Sequence, residues 1–530
     1  MGCMRRIAVK TRPTKEERFE MPIEEHREVA RPGGAGRKAA YNGASEHLPE
    51  EVTMSQSAAA RVQPFERDPI ATVDGLIVRA RAAMDAFVDS GQARVDEAVT
   101  AIAWSLYKPE HAEALARMAV EDTGIGNASD KVLKNQRKTF GTLRDLMRVR
   151  SVGIIEEQPE LGLVKYAKPV GVVGAVTPST NPAATPVNKA MMALKGRNAI
   201  VIAPSPAGLA TTTRTVELMR AELEKIDAPA DLVQVLPPPV DKPLTNALMA
   251  ACDLVVVTGS QNNVRNAYRS GTPAIGVGAG NVPVIIDSSA HLDAAAEKIC
   301  KSKCFDNATS CSSENSIVIL DDVYDDAIAA LERAGGYLAD ASEKEAIRST
   351  LWVDGKLNRR VIAKDADVFA TECGLDGAAH ASKFFMVEET GVGRDHLFSD
   401  EKLALVLTVY RASSFDNAMD RVRAIMDFKG RGHSVGIHTE DLAHARRLAE
   451  ELDTARVLVN MAHTFGNGGG FDSGLNFTLS MGCGTWQGNS ISENLSYRHF
   501  LNITHLAVPI PEDRPPEEAL FGAYWDKYGK

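Results

Sequence analysis

From Lys168 onward, short runs of β-branched residues alternate with helical stretches, and few folds accommodate that rhythm. Residues 170–176, 199–202, 232–236, 254–257 and 282–286 read as strands, with helices predicted over 187–194 and 210–226. A second series begins with a helix near Leu292 and continues through strands at 317–320, 405–410, 435–438 and 457–460. Repeated β-α units predict parallel sheets with helices on both faces. Two such series predict an α/β protein with two Rossmann-type domains in tandem. Upstream, residues 74–146 place apolar side chains at three- and four-residue steps, which predicts helices. Residues 152–166 and 496–509 alternate in the manner of exposed pairing strands and predict a small β arm. The expected division is a cofactor-binding domain over 54–287, with 150–168 lent to the arm, and a catalytic domain over 288–483. Residues 484–530 would complete the arm and form a tail.

The chain has 530 residues, 44% apolar and 25% charged, which suits a globular protein with several cores. Its formal charge of −10 argues against nucleic acid as a partner, because phosphate binding needs a basic face. No run approaches the ~18 uncharged apolar residues of a membrane span. Seven cysteines are too sparse for a disulfide scaffold, which suggests a cytoplasmic protein with free thiols. Residues 1–53 hold ten Lys/Arg and nine Asp/Glu without an apolar period, so a disordered tail is expected there. Met54 reads like an ordinary start.

Cys311 is the unusual cysteine. It lies in the polar stretch Phe305-Asp306-Asn307-Ala308-Thr309-Ser310-Cys311, just before a strand, where reactive groups are often displayed. Cys300 and Cys304, four apart on a predicted helix, suit packing better than a metal, and no metal-ligand set is expected. Thr258-Gly259-Ser260 follows a strand and precedes a helix, which suits either a phosphate seat or a plain cap. The loop Thr177-Pro178-Ser179-Thr180-Asn181-Pro182 follows another strand; it reads as an amide-presenting loop or a proline-rich turn. Gly276 to Gly280 reads as a tight turn or a weak glycine fingerprint.

With these stretches in register, and with Glu401-Lys402-Leu403 and Met481 to Asn494 after them, residues 74–509 resemble the CoA-acylating branch of the aldehyde dehydrogenase superfamily. The Cys311 loop and the tail from Pro511 to Lys530 are most similar to its acylating sulfoacetaldehyde dehydrogenases. The resemblance implies that Cys311 is the nucleophile, with Asn181 or Thr180 donating to the oxyanion. It implies cofactor contacts from Thr177, Pro178, Gly259, Ser260 and Glu401, although Glu401 also reads as a surface residue beside Lys402. Hydrolytic relatives carry a glutamate where this chain has Val277, so coenzyme A rather than water is expected to take the acyl group. Ser205 stands where NAD-selective relatives often carry a glutamate, which favours NADP or dual use with NAD. His433, Arg269, His463 and the turn Asn467 to Gly470 are sulfonate candidates by position only. The family arm implies a homodimer or homotetramer. Acetaldehyde and succinic semialdehyde remain alternative substrates, and Glu314 an alternative base for a hydrolytic enzyme. A non-catalytic nucleotide- or CoA-binding protein with an inert Cys311 is the reading from a different class.

Overall fold

The computed structural model describes residues 68–530; the expectations for the tail 1–53 and for a start at Met54 lie outside them. Four helices come first: α1 (Pro69–Phe87), α2 (Gln92–Tyr107), α3 (Pro109–Thr123) and α4 (Ala128–Met147). Asp68 caps α1 by accepting from the Ile70 N–H at 2.9 Å, and Pro69 sits in the first turn, where no N–H is needed. Helices α1 and α2 bury Val73, Leu76, Val95, Val99 and Ile102 in the first core. Helix α4 reverses the usual pattern, burying Lys131, Lys134, Asn135 and Lys138 while exposing Leu133 and Phe140.

The arm begins with β1 (Gly153–Gln158) and β2 (Leu163–Pro169), paired antiparallel. The first sheet follows: β3 (Val172–Val176), β4 (Ala199–Ala203), β5 (Val233–Val235), β6 (Leu254–Thr258) and β7 (Ala274–Val277). All its pairs are parallel, in the order β5-β4-β3-β6-β7. Helices α5 (Ala184–Lys195), α6 (Leu209–Glu224), α7 (Lys242–Ala251) and α8 (Gln261–Arg269) lie between successive strands. Every residue of β3 and β4 is buried, as in a sheet covered on both faces.

The second sheet holds β8 (Val282–Ile286), β9 (Glu314–Leu320), β10 (Gly336–Leu338), β13 (Phe384–Glu388), β14 (Val406–Ala412), β15 (Val435–His438) and β16 (Val457–Val459). Strands β11 (Trp352–Val353) and β12 (Lys356–Leu357) form a separate hairpin. The order is β10-β13-β14-β9-β8-β15-β16, all parallel, with α9 (Leu292–Cys304) between β8 and β9. Residues 282–286, assigned from sequence to the first unit, therefore belong to the second sheet, paired with β9 and β15. An apolar run signals burial on both faces but does not name its hydrogen-bonding partner. Strands β10 and β13 were not expected. Finally, β17 (Leu501–Ala507) pairs with β2 and closes the three-stranded arm. Leu495 and Phe500 sit in the first core, so the chain beyond 483 does more than form an arm and tail.

Candidate active site

A cavity of about 340 Å3 opens outside the C-terminal ends of β3, β6 and β7. Pro178 to Asn181 follow β3, Thr258 to Gln261 follow β6, and Val277 to Ala279 close β7; all line it. β3 and β6 are neighbours, and the strands that follow each run to opposite sides, the arrangement at which open parallel sheets bind ligands. Thr309 to Ser312 and Glu401 face the same space.

The Cys311 loop is held in an unusual backbone. Asp306, Asn307 and Ala308 carry φ of 50°, 53° and 60°, the left-handed region that costs roughly 1–2 kcal/mol per non-glycine residue. Buried polar bonds offset that cost. Asp306 accepts from Lys134 at 2.5 Å and Lys131 at 3.0 Å, and Asn307 donates to Asp365 at 2.7 Å. Next to the thiol, Ser312 accepts from the Asn467 amide at 2.8 Å. A Cβ on Gly280 would lie 1.8 Å from the Cys311 carbonyl oxygen, so only glycine allows the β7–β8 crossing to pass so close.

Burial pushes the Cys311 thiol up to about 12, and the charges of Glu401 and Cys483 push the same way; Ser312 and Arg456 act against them. Burial likewise raises Glu401 to about 7, while Lys429 and the Gly280 N–H that Glu401 accepts favour its charged form. Glu401 is 9% exposed and lines the cavity, so the surface reading of this residue falls. It is the only carboxylate among the lining residues. Val277 is buried against the cavity. Glu314 does not line it; its side chain accepts from the His463 N–H at 3.2 Å within the protein.

Thr180 and Asn181 both line the cavity, and their roles separate through a lysine. Lys134 donates to Asn181 Oδ1 at 2.9 Å. An ammonium has donors only, so it fixes the carbonyl end of the amide and leaves the Nδ2 end to donate. That Nδ2 lies 3.3 Å from Thr180 Oγ1.

Cys311, Thr180, Asn181, Pro178, Gly259, Ser260 and Glu401 are thus brought to one cavity. Ser260 also caps α8 by accepting from the Asn263 N–H at 3.3 Å. Thr177 is buried beside this group but is not part of the cavity wall, and its hydroxyl has no partner among the described residues. Ser205 lies elsewhere, next to Pro206 and Ala207, which line a second cavity of about 640 Å3 with Arg214. His433 and His463 are buried, both ring systems meet Ser434, and burial lowers both, His463 to about 3. Neither reaches the cavity, and Arg269 is exposed at the end of α8. Of the Asn467–Gly470 turn, Gly468 lines the cavity. Cys300 and Cys304 pack in the second core with sulfurs 3.9 Å apart. Sequence reading missed Lys134, Arg137 and Lys138, which line the cavity from α4. The available signal was a run of cations at three- and four-residue steps on α4 without matching carboxylates.

The aldehyde dehydrogenase family model matches residues 52–476. A relative from Cupriavidus necator, sulfoacetaldehyde dehydrogenase (acylating), is 51% identical over 475 residues, covering 89% of this chain and 96% of its own. One of the same name from Bilophila wadsworthia is 42% identical, covering 87% of this chain and 100% of its own. The crystal structure of an acetylating aldehyde dehydrogenase from Geobacillus thermoglucosidasius matches with a TM-score of 0.81 at 34% identity, over 84% of this chain and 98% of that one. A Rhodopseudomonas palustris propionaldehyde dehydrogenase, solved with bound CoA and an acylated cysteine, matches with a TM-score of 0.73 at 25% identity, over 82% and 97%. This chain, with its cysteine-lined cavity at the ends of parallel strands, belongs to the aldehyde dehydrogenase family.

Proposed function

We propose that the protein is a CoA-acylating aldehyde dehydrogenase that converts sulfoacetaldehyde, CoA and NAD(P)+ to sulfoacetyl-CoA through a thioester on Cys311. The observation that carries the acylating reading is the buried Val277 on the cavity wall, where a hydrolytic enzyme needs a carboxylate. Without a general base, water attack lacks about 10²–10⁴-fold of assistance, and the thioester persists for the CoA thiol. Glu314 does not line the cavity, and Glu401, which does, is assigned here to holding the nicotinamide ribose rather than to activating water. The names of the two acylating relatives support sulfoacetaldehyde as substrate.

In this reading the Cys311 sulfur adds to the aldehyde carbon, and the Asn181 Nδ2 donates to the resulting oxyanion. A bound nicotinamide would supply the hydride acceptor. Pro178, the Gly259-Ser260 turn at the N-terminus of α8, and Glu401 would hold it, and this crevice fits such a group. The CoA thiol then attacks the thioester carbon and releases Cys311. Beyond the strand ending at Ala203, Ser205 stands where a carboxylate would repel a 2′-phosphate, which favours NADP. The division of labour is a cofactor-binding first sheet and a nucleophile-bearing second one. The exposed outer strand β17 supports a homodimer or homotetramer built through the arm. Among the described residues no helix is long and apolar enough to cross a membrane, and the cytoplasm is the proposed compartment.

The test is a panel of sulfoacetaldehyde, acetaldehyde and succinic semialdehyde, each with NAD+ or NADP+, with and without CoA. CoA-dependent NAD(P)H formation, fastest with sulfoacetaldehyde, is expected. Free acid formed at the same rate without CoA rejects the acylating reading. Cofactor binding with no turnover of any aldehyde favours a non-catalytic protein.

A further inference from the structure

We propose that the substrate's sulfonate is seated by Lys138, with Arg137 beside it, on the α4 wall of the Cys311 cavity. This rests on the sulfoacetaldehyde reading and adds the residues that would select it. Lys134, Arg137 and Lys138 all line the cavity, but their charges are not equally satisfied. Lys134 is paired with Asp306. Lys138 is 8% exposed, donates to the Gly468 carbonyl at 2.7 Å, and has no carboxylate within ion-pair distance among the described residues. An ammonium has three donors, and the one bond to Gly468 leaves two. Its remaining neighbour of note is the Phe477 ring, 5.5 Å away.

Arg137 is also without a paired carboxylate among the described residues. It donates to the Phe465 carbonyl at 3.1 Å and lies against the rings of Phe465 and Phe477. The wall therefore carries more cations than acids, with Asp472 favouring the Arg137 charge from beyond ion-pair distance. Burial, with the charges of Arg137 and Lys134, lowers Lys138 to about 7, while Cys311 acts the other way. Lys138 and Cys311 line the same cavity, so the ammonium and the nucleophile face one space. Sulfoacetaldehyde carries its anion one methylene from the carbonyl, so one small molecule presents both groups to this cavity. A sulfonate here supplies the charge and acceptors that Lys138 lacks, and acetaldehyde supplies neither.

A lysine that merely tuned the Cys311 thiol would affect every aldehyde equally; a sulfonate seat changes the ratio between aldehydes. The experiment compares kcat/KM for sulfoacetaldehyde and acetaldehyde in the full chain, in Lys138→Met and in Arg137→Met. The sulfoacetaldehyde-to-acetaldehyde ratio should fall roughly 10- to 150-fold in Lys138→Met, the span that a hydrogen bond to a charged group covers. A smaller fall in the same direction is expected for Arg137→Met. Independently of turnover, methanesulfonate should slow iodoacetamide labelling of Cys311 in the unaltered protein and lose that effect in Lys138→Met. A ratio unchanged in both variants, with methanesulfonate protection retained, overturns the assignment. If Lys138→Met does not fold, Arg137→Met and methanesulfonate protection of the unaltered protein decide the matter: no protection and no change in ratio overturn it. An unaltered enzyme that shows no preference for sulfoacetaldehyde instead removes the substrate reading itself.

Discussion

The Lys134 ammonium donates to Asn181 Oδ1 at 2.9 Å and to Asp306 Oδ2 at 2.5 Å, tying the amide after β3 to the loop that carries Cys311. One lysine on α4 thereby links the proposed oxyanion donor to the nucleophile's own segment. Asn181→Ala should lower kcat by about 10²–10³-fold, the effect of removing one oxyanion donor. Thr180→Val should cost far less. Cofactor binding, followed by fluorescence, should be unchanged in both; equal losses in the two variants would remove the distinction.

Cys311→Ala should abolish turnover while leaving the fold and cofactor binding intact. Burial holds the thiol near 12, which favours its protonated form at neutral pH. Iodoacetamide labelling should therefore rise about tenfold per pH unit from neutrality upward, because the thiolate is the reacting form. Glu401→Gln removes a repelling charge, which lowers the thiol's value and should speed labelling several-fold. A flat pH profile would contradict this picture.

Val277→Glu should divert product from acyl-CoA to free acid. The site is buried, so the new carboxylate will ionise above the ordinary range, and acid release should increase as pH rises through its value. Product analysis by chromatography across pH checks this. A folded, active variant with an unchanged product ratio would show that water exclusion alone protects the thioester.

Gly280→Ala should damage both activity and stability. The added Cβ meets the Cys311 carbonyl at 1.8 Å, which only backbone movement can relieve. Overpacking of this kind costs roughly 1–3 kcal/mol. Urea titration should show the lower midpoint, and slower labelling of Cys311 would locate the disturbance.

Asp306→Asn leaves Lys131 and Lys134 buried without their shared counter-charge, at a cost of about 3–5 kcal/mol. Burial alone would raise the Asp306 carboxyl, but the two lysines hold it below the usual range. Its contribution is therefore present above the unfolded carboxylate value of ~3.9 and lost as pH falls through the lower folded value. Urea midpoints measured from pH 7 downward should converge for the two proteins; a constant gap would exclude this origin.

The residues by themselves determined the parallel α/β class, the arm strands and the prominence of Cys311. Each is a local signal: apolar runs of strand length, alternation, and a cysteine set among polar neighbours. The loops after β3 and β6 were also legible, because strand ends followed by glycine, proline and hydroxyl residues leave polar groups free. The tertiary structure decided what depends on partners distant in the chain. β8 joins the second sheet because it meets β9 and β15, a pairing that its apolar run does not specify. The choice between Thr180 and Asn181 turns on Lys134, 47 residues from Asn181. The apolar steps over 74–146 predicted helices but said nothing of the α4 lysines, which packing turns inward while Leu133 and Phe140 stay exposed. Whether a charge faces water or a cavity depends on what packs against its helix. That information lies in the loops around Cys311, Asn181 and Gly468, not in α4 itself.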